Sequence, residues 1–225
     1  MGPGVALVAP RLRTAAWCTV AGLSALVALG GIVVHGARSP LGVEVRVQAA
    51  VDSNIGNPET WSHVFVTVIP LAGLALFIAL VAWTLTQRWW RGVAACAAVP
   101  IAVAITGQVL KPLVDRKVPE PSEFFYPSGH LTGVGALTSL VLILVLPRVA
   151  RVELRVLLVA ICAMACGVGV LAAVASHGHG PLDAAAGLAT GAAITLAWVL
   201  LLDLLLETAA RSRRRAYPSA TTSLR

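Results

Sequence analysis

The chain has 225 residues, of which 58% are hydrophobic and only 12% are charged, and its net charge is +7. This composition excludes an ordinary soluble domain, in which roughly 25% of the residues are charged. The positive charge comes mostly from arginines that flank apolar runs, which favours contact with anionic lipids, so we expect membrane lipids and no nucleic acid as partners.

Six apolar runs follow one another along the chain, and each predicts a transmembrane helix. A helix needs roughly 20 mostly apolar residues to cross a hydrocarbon core of about 30 Å. The first run is longer than the apolar part of a signal peptide, so we predict a retained helix. The sequence therefore predicts an all-α, polytopic membrane protein with six transmembrane helices. The runs cover residues 15–35, 61–85, 92–110, 130–146, 152–175 and 183–206.

Arginines at alternate ends of these runs predict the orientation, because cytoplasmic loops carry the excess of Lys and Arg. We expect a cytoplasmic segment at 1–14, a membrane domain at 15–206 and a basic, disordered cytoplasmic tail at 207–225. The loops at 111–130 and 175–183 then face the outside of the cytoplasmic membrane. The arginines on the predicted inner side are Arg11, Arg13, Arg88, Arg91, Arg148, Arg151, Arg155, Arg211, Arg213, Arg214 and Arg215.

The motif PSGH, 127–130, precedes the fourth run and predicts the start of a helix. Ser128 stands where a helix N-cap is expected. The first amides of that helix, near Gly129, would then be free to bind a phosphate oxygen. The alternative is a capped helix whose His130 lies at the membrane interface without a chemical role.

The stretch SHGHGPLD, 176–183, precedes the sixth run. Pro181 favours the first helical position, which places Gly180 at the cap and Asp183 in the first turn. If functional, Asp183 accepts a hydrogen bond from one ring nitrogen of His179, so that the other nitrogen can attack a substrate. The alternative is a capping acid beside an ordinary loop histidine.

The loop after the third apolar run supplies positive charge on the same predicted outer side of the membrane. It contains Lys111, Arg116 and Lys117 in KPLVDRKVPEP, and such cations suit the negative charge that spreads over a phosphoryl group. A lysine at this place can also extend to the interface without any catalytic role.

Together these motifs resemble the type 2 phosphatidic acid phosphatase (PAP2) superfamily, over about residues 39–206. Its first motif is a lysine, six residues and Arg-Pro, matched here by Lys111 and Pro119. Its second motif, PSGH, is matched in full. Its third, Ser-Arg, five residues, His, three residues and Asp, is matched at its end by His179 and Asp183.

The resemblance implies a PAP2-type helical bundle and assigns roles to the matching residues. His179 would be the nucleophile that forms a phosphohistidine, His130 the acid for the leaving oxygen, and Asp183 the orienting carboxylate. Lys111, Ser128 and the amides near Gly129 would hold phosphate oxygens. No cofactor and no metal are implied.

Two arginines of the family pattern are absent, since Val118 and the pair Ala172-Ala173 stand in their places. Each loss should cost about 2–4 kcal/mol of transition-state stabilisation, by analogy with an oxyanion-hole donor. We predict that Arg116 takes over part of the phosphate binding, with Lys117 and His177 as other candidates.

The sequence thus predicts a metal-independent phosphatase that removes a phosphomonoester or pyrophosphate from a lipid at the outer face of the membrane. One alternative is a catalytically weakened protein that binds or translocates lipids. Another is a zinc site made of His130, His177, His179 and Asp183, whose side chains suit that metal. The lipid and the oligomeric state stay open.

Overall fold

The structure, a computed structural model, describes residues 6–117 and 125–216, the side chains of 213–216 excepted. Every regular element in these ranges is helical. Six segments are long and apolar enough to cross a membrane, which confirms the predicted all-α polytopic membrane fold. The spans are Pro10–Val34, Pro58–Thr86, Trp90–Val114, Gly129–Arg148, Val152–Ala175 and Pro181–Ser212.

In the part of the chain that the structure describes, ten α-helices build these spans and one additional segment, α2, which the sequence did not predict. α2 has the sequence GVEVRVQAAVDSN, and its charged residues keep it from being a span. It lies between the first two spans, and Gln48 on it donates to the carbonyl of Val174 at the end of the fifth span. The helices are α1 (Arg13–Val34), α2 (Gly42–Asn54), α3 (Pro58–His63), α4 (Ile69–Thr86), α5 (Trp90–Cys96), α6 (Ala98–Ile105), α7 (Lys111–Val114), α8 (Gly129–Leu144), α9 (Val152–Ala175) and α10 (Pro181–Ala216).

Two wide, π-helical turns interrupt the second and third spans, at Val64–Val68 and Thr106–Leu110. Each precedes a proline, Pro70 or Pro112, whose ring would clash with the carbonyl four residues earlier in a regular helix. Such turns widen the helix locally and are frequent at functional sites. Lys111 follows the second turn directly.

The fourth and sixth spans pack closest, because glycines let their backbones touch. A Cβ atom added at Gly187 would stand 2.5 Å from the carbonyl oxygen of Ser128 and 2.9 Å from the Cβ of Leu131. Added Cβ atoms at Gly135 and Gly191 would likewise meet the backbone of the opposite helix. Small residues support close helix contacts in membranes in the same way.

One end of the bundle carries Arg13, Arg91, Arg148 and Arg211 and is here called the arginine end. There Asp203 joins the first described residues of the chain to the last helix. It accepts hydrogen bonds from the backbone N–H groups of Leu7 and Val8 at 3.0 and 2.9 Å. Nη1 of Arg13 donates to Glu207 at 2.9 Å. The helix continues to Ala216, beyond the predicted start of the tail at 207, and residues 217–225 of that tail lie outside the described residues.

Candidate functional site

The three motif-bearing connections meet at the opposite end of the bundle, here called the histidine end. Backbone hydrogen bonds of 3.0 Å join Phe125 to Arg116 and Ser128 to Asp183, and one of 3.1 Å joins His179 to Ala173. These bonds fix the loops that carry Lys111, the PSGH motif and His179 against one another.

One cavity of about 530 Å³, here called the apolar cavity, brings together Lys111, Gly129, His130 and His179. Phe65 packs edge-on against both imidazoles, with ring centroids 4.9 Å from His130 and 5.8 Å from His179. The two histidines thus border one space, with a cationic side chain on its wall.

Apart from these polar groups, most of the wall comes from aliphatic and aromatic side chains of the second, third and fourth spans. Ile69, Phe77 and Leu137 line it together with Leu74 and Val103. Leu74 and Val103 are also exposed on the flank of the bundle. The cavity therefore has a polar end and an apolar body beside the lipid-facing surface.

His179 is held uncharged by its surroundings. Its side chain is 8% exposed, and Phe125 packs against it with ring centroids 5.4 Å apart. Burial, followed by the positive charge of Lys111, lowers the pKa of His179 to about 3. The imidazole is thus neutral at physiological pH, and it keeps the lone pair that a nucleophile or base needs.

Ser128 occupies the predicted N-cap of α8, but its hydroxyl makes no capping hydrogen bond. Its Oγ is buried and has no hydrogen-bond partner. Gly129, the first residue of the helix, stands on the wall of the apolar cavity. Of the predicted phosphate contacts in this motif, Gly129 therefore lines the cavity, whereas Ser128 does not.

Asp183 differs from its predicted role. Its Oδ1 accepts from Nη1 of Arg116 at 2.8 Å, and its Oδ2 accepts from the N–H of Gly180 at 3.0 Å. The bond from Gly180 agrees with the predicted helix start at Pro181, since an acid in the first turn commonly accepts from the backbone N–H of the N-cap residue. The expected hydrogen bond from His179 to Asp183 is not formed, and Nδ1 of His179 is buried without a partner.

Arg116 also differs from its predicted role as a phosphate ligand. Its side chain is 1% exposed, and its Nη2 donates to Oε2 of Glu44 on α2 at 2.6 Å. Both Nη groups donate to carboxylates, and the side chain does not line the apolar cavity. Glu44 was not identified from the sequence. Its position in the first turn of α2 is the one local indication of a role, and there Oε2 also accepts from the N–H of Leu41.

The two departures from the family pattern have different outcomes in the structure. Ala172 and Ala173 are fully buried in a cluster with Phe65, Leu131 and Ala184, so that space is closed by packing. Val118 and Pro119 lie outside the described residues.

A second space of about 490 Å³, here called the polar cavity, lies between α2 and the loop of His179. Its lining includes Glu44, Arg116 and His179. His177 lines it too, with Nε2 3.2 Å from Oδ1 of Asp52. His179 therefore separates the apolar cavity from the polar one.

The alternative prediction of a zinc site is wrong for the residues that the structure describes. Within 6–117 and 125–216, no group of three or more His, Cys, Asp or Glu side chains is placed to hold a metal ion. His177 contacts Asp52 and Asp183 contacts Arg116, so the four predicted ligands do not converge.

No family model, no curated protein and no solved structure matches the chain. The fold and the site together define a six-span membrane protein in which a buried histidine, His179, and an exposed one, His130, stand at the polar end of an apolar cavity.

Proposed function

We propose that this protein is a lipid-phosphate phosphatase of the PAP2 type. The observation that supports the proposal best is the apolar cavity, which combines His130, His179 and Lys111 with apolar walls from three spans. Two histidines and a lysine suit phosphoryl transfer, and the apolar body suits the hydrocarbon part of a lipid.

In the proposed reaction, Nε2 of His179 attacks the phosphorus atom, and the bond between phosphorus and the lipid oxygen breaks. His130 gives its proton to that oxygen, and the free lipid alcohol leaves. Water then attacks the phosphorus of the phosphohistidine, and the bond between phosphorus and Nε2 breaks, its electron pair returning to Nε2. His130 takes up a proton from the water, and inorganic phosphate is released. Lys111 and the backbone near Gly129 stabilise the phosphoryl oxygens in both steps.

The proposed location is the outer face of the cytoplasmic membrane, with both termini inside. Cytoplasmic loops carry the excess of Lys and Arg, and Arg13, Arg91, Arg148 and Arg211 all lie toward the arginine end. The histidine end, and with it the cavity, would then face outward at the level of lipid headgroups.

A second candidate is a catalytically weakened protein that binds or translocates phosphorylated lipids. Two observations favour it: Ala172 and Ala173 fill the place of one expected arginine, and Arg116 is committed to carboxylates. The site would then bind the phosphate without efficient cleavage.

Phosphate release from a panel of lipid phosphates tests both candidates, with the purified protein in liposomes. The panel includes glycerolipid and isoprenoid monophosphates and diphosphates, each with and without chelator. We expect chelator-resistant release that is lost in His179→Ala and retained in His177→Ala, its neighbour in the same loop. Trapping of labelled phosphate on the protein should also vanish in His179→Ala but persist in His130→Ala, where breakdown slows.

The contrary outcomes separate the candidates. Full turnover in His179→Ala would refute the assignment of the nucleophile, and loss of release with chelator would refute metal independence. Binding of the lipid phosphates without release would favour the second candidate.

A further inference from the structure

We propose that Glu44, on the short helix α2, is the carboxylate that orients His179. Its Oε1 accepts a hydrogen bond from Nδ1–H of His179 and so leaves the lone pair of Nε2 for attack. This inference deepens the proposed function and rests on it for the role of His179 as nucleophile.

The two atoms are complementary, and both lack a partner. Oε1 of Glu44 and Nδ1 of His179 are buried, and neither makes a hydrogen bond. Their side chains are 3% and 8% exposed. Buried polar groups are rarely left unpaired in folded proteins, and a bond between this acceptor and this donor satisfies both.

The backbone at Gly180 brings the two groups close. A Cβ atom added at Gly180, the residue after His179, would stand 2.6 Å from Oε1 of Glu44. Glu44 and His179 also border the same polar cavity. Glycine at this position thus lets the carboxylate lie directly over the chain next to His179, where a small rotation of the side chains forms the proposed hydrogen bond.

The other charged groups around His179 are less suited to this role. Asp183 already accepts one hydrogen bond on each carboxylate oxygen, from Arg116 and from Gly180. Lys111 and Arg116 are donors only, and His130 is required as the acid of the reaction.

The second oxygen of Glu44 fixes the direction of the first. Oε2 accepts from the N–H of Leu41 at 2.9 Å and from Nη2 of Arg116 at 2.6 Å. With Oε2 held from two sides, Oε1 is directed toward Gly180 and the loop of His179. Arg116 therefore acts as a positioning residue that links Glu44 to Asp183.

Glu44→Gln is the sharpest test because it keeps the shape of the side chain and reverses the direction of the proposed hydrogen bond with His179. Leu41 and Arg116 both donate to Oε2, so the amide oxygen takes that place and the NH₂ group replaces Oε1. The NH₂ group donates to Nδ1 and favours the tautomer protonated at Nε2, which cannot attack. In a catalytic triad, the corresponding loss of the right tautomer costs about 10⁴ in turnover, and here we expect a loss of about a hundredfold or more.

The tautomer is read by ¹⁵N NMR of histidine-labelled full-length protein in nanodiscs, with the His179 signals assigned by their loss in His179→Gln. We expect protonated Nδ1 in the wild type, protonated Nε2 in Glu44→Gln, and no change in Asp52→Asn, a matched variant on the same helix. The turnover of Asp52→Asn should equal that of the wild type.

A wild-type His179 protonated at Nε2 would overturn the inference even if no Glu44 variant folds. A change of tautomer in Asp183→Asn but not in Glu44→Gln would overturn it as well, and would make Asp183 the orienting group. Absence of phosphatase activity with the expected tautomers would refute the proposed function and leave the pairing of Glu44 with His179 intact.

Discussion

A single buried guanidinium joins three elements of the histidine end. Arg116 follows the third span, and its partners Glu44 and Asp183 lie on α2 and at the start of α10. All three side chains are almost completely buried, with exposures of 1%, 3% and 0%. Removing one partner of such a buried set leaves charge unpaired in a poorly solvated place, which is far more costly than removing a surface pair.

Arg116→Ala should therefore destabilise the folded protein by about 3–5 kcal/mol, because two buried carboxylates lose their cation. Arg116→Lys should retain only part of this stability, since an ammonium group lacks the planar fork that reaches both acids. Unfolding in detergent, followed by circular dichroism, measures the loss.

The matched control is Arg38→Ala, which removes a guanidinium from the same end of the bundle. Arg38 is 50% exposed, pairs with the Asp115 carboxylate at 2.7 Å and donates to the carbonyl of Asp115, so in this solvated place its loss should cost much less than that of Arg116. Equal, small losses in both variants would contradict the structural role of Arg116.

At the scale of elements, the contact between α8 and α10 sets the geometry of the site. α8 carries His130 in its first turn, and α10 carries Asp183. The N–H of Ser128 donates to the carbonyl of Asp183 at 3.0 Å, and Gly187 lies against Ser128 one turn further along α10. The glycine contact therefore determines how closely the two helix starts approach.

Gly187→Ala should destabilise the protein by about 1–3 kcal/mol, the usual cost of overpacking. The added Cβ would stand 2.5 Å from a backbone oxygen of Ser128, which cannot move aside as a side chain can. The control is Gly167→Ala on α9, where nothing lies within 4 Å of the added atom. There alanine should be neutral or stabilising by up to about 1 kcal/mol, as the better helix former. Thermal unfolding of both variants measures the difference, and equal effects would contradict the close contact.

The elements also show what a sequence can and cannot predict here. Hydropathy placed the six spans, because a bilayer imposes length and apolarity on each span separately. The start of α10 followed from Pro181 and Asp183, since capping is local. The pairing of Arg116 with Glu44 joins residues 72 positions apart, and no local pattern encodes it. The same limit applies to α2, whose mixed sequence acquires a role only through the loops that it covers.

Across the whole molecule, the two ends differ in how their cations are used. At the histidine end, Arg38 is paired with Asp115, and Arg116 is paired with Glu44 and Asp183. At the arginine end, the cations outnumber the acids Glu153, Asp203 and Glu207. Since topology follows the distribution of Lys and Arg in short loops, this asymmetry predicts which end stays in the cytoplasm.

Single cysteines on the two ends test that orientation, in a variant whose native cysteines have been replaced. Ser53 on α2 and Ser212 near the end of α10 are both exposed, so each should react with a maleimide that can reach it. On intact cells, a membrane-impermeant maleimide should label Ser53→Cys, and it should label Ser212→Cys only after the membrane is opened. The opened sample controls for reactivity.

Labelling of both sites on intact cells would contradict their placement on opposite sides, and labelling of Ser212→Cys alone would reverse the orientation and place the histidine end in the cytoplasm. The native cysteines to be replaced are Cys18, Cys96, Cys162 and Cys166.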